Sequence, residues 1–174
     1  IRGACHRLIE TRGYDSAWII LLDDTERCFA WAEAGLEESF SAFTEEIAAG
    51  QLPVCARQAL DDSDLVVVWD PETFCSGCPL LGALPSSARI VSPLMHQGVV
   101  FGVMAVSLPV SRAKDEDELG LVREVAGDIA FALYDIDLEE DRARAEMALH
   151  DSERFLRFTL DGITAHIAVL DEEG

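Results

Sequence analysis

The sequence predicts an α+β fold, an antiparallel sheet covered by helices and continued by one long C-terminal helix, on three observations. Apolar runs of strand length alternate with amphipathic stretches of helical period. Two of those runs, 89–95 and 99–108, flank His96-Gln97-Gly98, a glycine-bearing connection short enough for a tight hairpin. From residue 114 onward the apolar period is helical without a break. Apolar residues make up 49% of the 174, enough for a well-packed core at this length.

Residues 1–13 place Ala4, Leu8 and Ile9 at helical spacing, and Gly13 supplies the stop. The run Ser16-Ala17-Trp18-Ile19-Ile20-Leu21-Leu22 is apolar throughout, as expected of a buried strand. Beyond the Asp23-Asp24-Thr25 turn, 28–34 reads as a second strand, and 37–49 as a helix with Phe40, Phe43 and Ile47 on one face. Pro53 opens a short helix through Leu60. Leu65-Val66-Val67-Val68-Trp69 is a third strand, and 71–87 reads as irregular before the hairpin.

In the long helix Leu119, Val122, Ala126, Ile129, Leu133 and Ile136 alternate steps of three and four, a heptad seam of the coiled-coil type. Over its first three turns the same face could instead lie on the domain's own sheet, because Val125 and Phe131 widen it. Beyond Tyr134 the residues are mostly charged, with Ile136, Leu138, Ala143, Ala145, Met147 and Leu149 interspersed. A solitary helix of that kind is marginal in water, so pairing with a second chain, a homodimer through the terminal helices, is expected.

Charge and composition exclude several function classes. Acidic residues outnumber basic ones 33 to 13, for a net charge of −20, so nucleic acid and anionic lipid are repelled. No run of 18 apolar residues occurs, and Ile1-Arg2-Gly3-Ala4-Cys5 lacks the features of a signal peptide. The five cysteines, an odd count, indicate a reducing compartment, and the expected location is cytoplasmic. With no initiator Met and a pattern that stops midway, the chain reads as a fragment of a longer protein. There is no phosphate-cradling glycine loop, nucleophile elbow, phosphotransfer histidine or ATP-binding segment, so no catalytic residue is assigned.

The opening helix and strand, Ser92-Pro93-Leu94 at the hairpin, and Val100-Phe101-Gly102-Val103-Met104-Ala105-Val106 resemble a GAF domain over residues 1–134. The stretch that follows, with Leu149 and Ser152-Glu153-Arg154-Phe155, resembles the signalling helix that leads into a PAS domain in bacterial sensor histidine kinases. On that resemblance 135–151 is the helical linker and 152–174 the start of a PAS domain, a first helix and then a first strand at 165–170. The likeness implies a GAF-like sheet and a regulatory, non-enzymatic input module. Effector or redox changes would be relayed through a dimeric helix to PAS and output domains of the same chain. The alternative is a ligand-free dimerisation module whose cysteines are structural.

Cys75-Ser76-Gly77-Cys78-Pro79-Leu80 is similar to a Cys-x-x-Cys-Pro-Leu stretch found in GAF domains of PAS-linked sensors. The segments between the second strand and the hairpin form the ligand pocket in a GAF-like fold, which would put Cys75 and Cys78 in its wall and Cys55 nearby. Two thiolates on one Cys-x-x-Cys turn can reach a soft metal such as zinc or iron, with Cys55 as a third ligand. A strong zinc signature needs a second pair, and covalent haem needs a histidine where Pro79 stands. A metal site, a reversible dithiol and ordinary packing all remain open for these cysteines. His6 and His96 are read as solvated rather than ligating, and Phe40, Phe43, Trp31 and Trp69 as core residues before pocket residues. Asp61-Asp62-Ser63-Asp64 lacks the glycine and glutamate of a calcium loop and reads as a solvated connector.

Overall fold

The computed structural model describes residues 1–36, 39–81 and 87–170, with the side chains of 161–170 excepted. Its central strand β1 (Ser16–Leu22) is buried along its whole length. Side chains alternate across a strand, so both faces of the sheet must be covered. Ala17, Ile19 and Leu21 enter one core, Trp18, Ile20 and Leu22 the other. Helix α1 (Arg2–Arg12) precedes β1 and ends at Gly13, whose φ of 66° is the left-handed stop that glycine takes without strain. After β1 come β2 (Cys28–Ala34), α2 (Ser39–Ala48), α3 (Val54–Asp62), β3 (Val66–Val68), α4 (Pro71–Phe74), β4 (Ser87–His96), β5 (Val99–Pro109), α5 (Val110–Ala113) and α6 (Glu116–Leu170).

The five strands pair antiparallel throughout, in the order β2-β1-β5-β4-β3. The β4–β5 hairpin turns on Gln97 and Gly98, both at positive φ (49° and 83°), the pairing that a two-residue turn matched to strand twist requires. Across the sheet Gly102 lies so close to β1 that a Cβ there would sit 2.0 Å from the Ile20 carbonyl oxygen. One face of the sheet carries α1 and the start of α6, with Cys5, Leu8, Val122, Ala126 and Ala130 buried against it. On the other, α2 and α3 bring Phe40, Phe43, Ile47, Cys55 and Ala59 against Trp18, Ile20 and Val91. Fully burying a side chain of the size of Phe43 or Ile47 stabilises by ~2 kcal/mol, so each helix has a reason to stay.

Several expectations need correction. The third strand is shorter than 65–69, because β3 is an edge strand that pairs only with β4, over three residues. Trp69 beyond it and Trp31 on the other edge strand are exposed rather than core. The irregular stretch contains α4, a single turn started by Pro71 and capped by Asp70, whose carboxylate accepts from the Thr73 amide (3.4 Å) and hydroxyl (2.6 Å). Positions 37–38, in the expected second helix, and 82–86 fall outside the described residues.

The chain divides into two units, 1–133 and 134–174. Within the first, Val122 and Ala126 of the heptad series are core residues of the domain itself, and Leu119, Ile129 and Leu133 pack partly against the same core. In the second unit, Ile136, Leu138, Met147, Leu149, Phe155, Leu156, Phe158 and Leu160 are exposed apolar side chains on a helix. Residues 165–170, expected as a strand, are helical as far as Leu170. A strand needs a neighbour for its backbone groups, and no strand follows β5 among the described residues, whereas a helix satisfies them internally. No helix among the described residues is long and apolar enough to cross a membrane.

Candidate functional site

Cys55, Cys75 and Cys78 come together on the α2/α3 face of the sheet. Cys55 occupies the first turn of α3, whose preceding residue, Pro53, offers no side-chain cap to the free amides there. Cys75 follows α4, held by the bond from its amide to the Pro71 carbonyl (2.8 Å), and the chain then turns so that the Cys78 amide donates to the Cys75 carbonyl (2.9 Å). Gly77, at φ 92°, is the third residue of that turn, where a side chain would be strained. Cys55 and Cys75 are 1% and 2% exposed, Cys78 is half-buried, and all the cysteines are free thiols.

The sulfur of Cys75 accepts hydrogen bonds from both the thiol and the backbone amide of Cys55. The thiol bond from Cys55 lowers the pKa of Cys75 to about 7, against the opposing effect of burial and with help from the charge of Arg89. Cys55 is pushed the other way, first because its proton is held in the bond to Cys75 and then by desolvation. Desolvation also raises Cys78, with a bond from the Leu80 backbone and the charge of Arg89 acting against it. The arrangement favours negative charge on Cys75 and the proton on Cys55.

Arg89, on β4, was not among the residues singled out from the sequence. It is 3% exposed; one terminal nitrogen donates to the Leu80 carbonyl (2.6 Å) and the other lies 4.0 Å from the Cys78 sulfur. No carboxylate forms an ion pair with it among the described residues. A buried guanidinium stabilises nearby negative charge, and the thiol cluster is where that charge can reside. A signal was present: Arg89 interrupts Ser87-Ala88-Arg89-Ile90-Val91, a strand otherwise of small and apolar residues.

A cleft of about 160 Å³ opens beside the cluster, lined by Glu46, 51–54 and 75–78. A larger groove of about 520 Å³ lies where the β1–β2 turn, Arg57 and Asp61 meet Val99 and Val100, away from the cysteines. Among the described residues no group of three or more His, Cys, Asp or Glu is placed so that it could hold a metal ion. His6 is exposed, and His96 meets the Phe131 ring edge-on at 5.3 Å. Asp64 of the acidic connector pairs with Arg123 at 3.3 Å.

Comparison with known families matches residues 1–133 to the GAF domain. The chain belongs to the GAF domain family. GAF domains are regulatory sensor modules of signalling proteins, and the antiparallel sheet flanked by helices is their fold. A GAF domain/HD domain protein from Geobacter sulfurreducens is similar in structure at TM-score 0.60 and 15% identity, covering 78% of this chain and 91% of that one. A domain described as belonging to a two-component sensor histidine kinase of Sinorhizobium meliloti aligns at TM-score 0.59 and 17% identity, over 81% and 92% of the two chains. Residues 122 to 287 of a methyl-accepting chemotaxis protein align at 0.57 and 21%, over 79% and 88%. At these identities the likeness is one of fold. None of the curated proteins compared with the chain matches it.

Proposed function

We propose that this GAF domain is a cytoplasmic input module of a bacterial sensor protein of the histidine kinase type, in which the chemical state of the Cys55/Cys75/Cys78 site is relayed through a homodimer of α6. Residues 135–151 act as the helical linker and 152–174 as the approach to a PAS domain in the same chain. The observation that carries this reading is the row of exposed apolar side chains on α6 from Ile136 to Leu160, Phe158 being 82% exposed. A helix that shows water so much apolar surface is stabilised by a partner, and a second copy presents the same face. The start of α6 belongs to the core of the sheet, so a change in the domain has a continuous helix to act on.

The dimerisation-only alternative draws on the filled core beneath α2 and α3. Phe43, Ile47 and Leu80 are fully buried there. The cleft of about 160 Å³ beside the thiols suits a small reactant at that site.

The dimer is tested where substitution does not disturb the domain's own core. Leu149→Asp with Leu156→Asp alters residues exposed in the protomer. Wild-type protein should scatter light as twice the chain mass and the double variant as one chain mass, with the same thermal transition for the GAF unit. A wild-type chain that is monomeric at high concentration overturns the relay.

A further inference from the structure

Cys75 has two possible sulfur partners, and the fold treats them differently. Cys55, from α3, is hydrogen-bonded to it; Cys78, its Cys-x-x-Cys neighbour, is turned to the Arg89 guanidinium at 4.0 Å. We propose that the oxidised form of this site is a Cys55–Cys75 disulfide, made by reaction with a hydroperoxide that enters through the cleft beside Gly77, while Cys78 remains a thiol. The inference rests on the sensor reading above and names the class of signal and the bond that records it.

Each cysteine has a distinct position for this chemistry. Cys75 lines the cleft together with Cys78, so a molecule the size of hydrogen peroxide that enters it meets this residue although little of it is exposed. Cys55 does not line the cleft and is buried in the same core cluster as Cys75, as befits the resolving thiol. The Cys75 thiolate attacks the terminal oxygen of the hydroperoxide; an S–O bond forms, the O–O bond breaks, and the alkoxide or hydroxide leaves with a proton. The Cys55 thiol then gives up its proton and attacks the sulfenic sulfur; the S–S bond forms and the S–O bond breaks, releasing water. Two thiols lose two electrons and two protons, and the hydroperoxide is reduced to an alcohol, or to water, plus one water.

The consequence falls on Arg89. The thiolate of the reduced pair is a negative charge close to a buried guanidinium that no described carboxylate neutralises. A disulfide is neutral, so oxidation removes that charge while the guanidinium stays inside. It also ties the start of α3 to the residue that follows α4, within the core cluster they share. The switch therefore combines a covalent link with a lost electrostatic partner.

The test is chemical. The reduced 174-residue chain is treated with stoichiometric hydrogen peroxide, its remaining thiols are alkylated, and the digest is mapped by mass spectrometry. Expected is one Cys55–Cys75 linked peptide per chain, lighter by two hydrogens, with Cys5, Cys28 and Cys78 alkylated. Cys78→Ser should keep the link. Cys55→Ala should stop at a sulfenic acid on Cys75 that dimedone captures, and if that variant does not fold, Cys75→Ala should show no oxidation at Cys55. A Cys75–Cys78 link, or five alkylatable thiols after peroxide, overturns the proposal. Hydrogen exchange in α6 separates this outcome from the sensor reading. A linked protein with unchanged α6 supports the disulfide and refutes the relay, whereas an unlinked protein refutes the disulfide and leaves another signal free to act.

Discussion

Cys75 owes its character to three neighbours on three elements. The Cys55 thiol and amide donate to its sulfur from α3, Arg89 adds positive charge from β4, and the turn after α4 holds its backbone. The thiolate is the nucleophile, so alkylation of Cys75 should be slow at low pH and rise to a plateau through about 7, below the range of an ordinary thiol. Cys5 should stay inert across that range, since burial raises it to about 11. Arg89→Met should move the Cys75 midpoint upward and destabilise the fold by ~2 kcal/mol, because the Leu80 carbonyl loses its buried donor. Rates of iodoacetamide labelling, mapped by peptide at each pH, decide it; an unmoved midpoint in the Arg89 variant would show that Cys55 alone sets the reactivity.

At the scale of elements, the sheet depends on how closely β1 and β5 approach. Gly102 faces Leu21 in the register and has φ 152°, and a methyl group placed there would strike the Ile20 carbonyl oxygen at 2.0 Å. Backbone cannot yield as a side chain can, so Gly102→Ala should destabilise by ~3 kcal/mol, read as a lower urea midpoint with an unchanged slope. The same strands explain what the sequence made legible. The unbroken run Ser16–Leu22 reads as a buried strand, and its bounds and those of β2 agree with the reading. The convergence of Cys55 with Cys75 could be anticipated only through the family resemblance, because it depends on how α3 and α4 pack, a long-range property that spacing does not encode. Arg89 escaped notice because an isolated charge in an apolar strand more often marks a solvent-facing position. The heptad series left its first turns open between two partners for a related reason. A seam of period three and four is the same whether it meets a second helix or the domain's own sheet, and the sheet took Val122 and Ala126.

For the molecule as a whole, a net charge of −20 sets the terms on which two copies can meet. Bringing together two chains of like charge costs electrostatic work, most where their helices run side by side. The apolar residues proposed to face each other from Ile136 to Leu160 supply an attraction that added salt does not weaken. Repulsion between exposed charges is screened once the Debye length falls to ~10 Å, near 0.1 M salt. The ion pairs recorded in this stretch, Arg142 with Glu146 and Arg144 with Asp141, lie within one helix and do not hold copies together. Association should therefore tighten as salt rises from ~0.01 M to ~0.1 M, the range over which the Debye length shrinks from ~30 Å to ~10 Å. Sedimentation equilibrium at the two salt concentrations measures it directly. A dimer that loosens with salt would instead be held by ion pairs between the chains, and the apolar row on α6 would not be its interface.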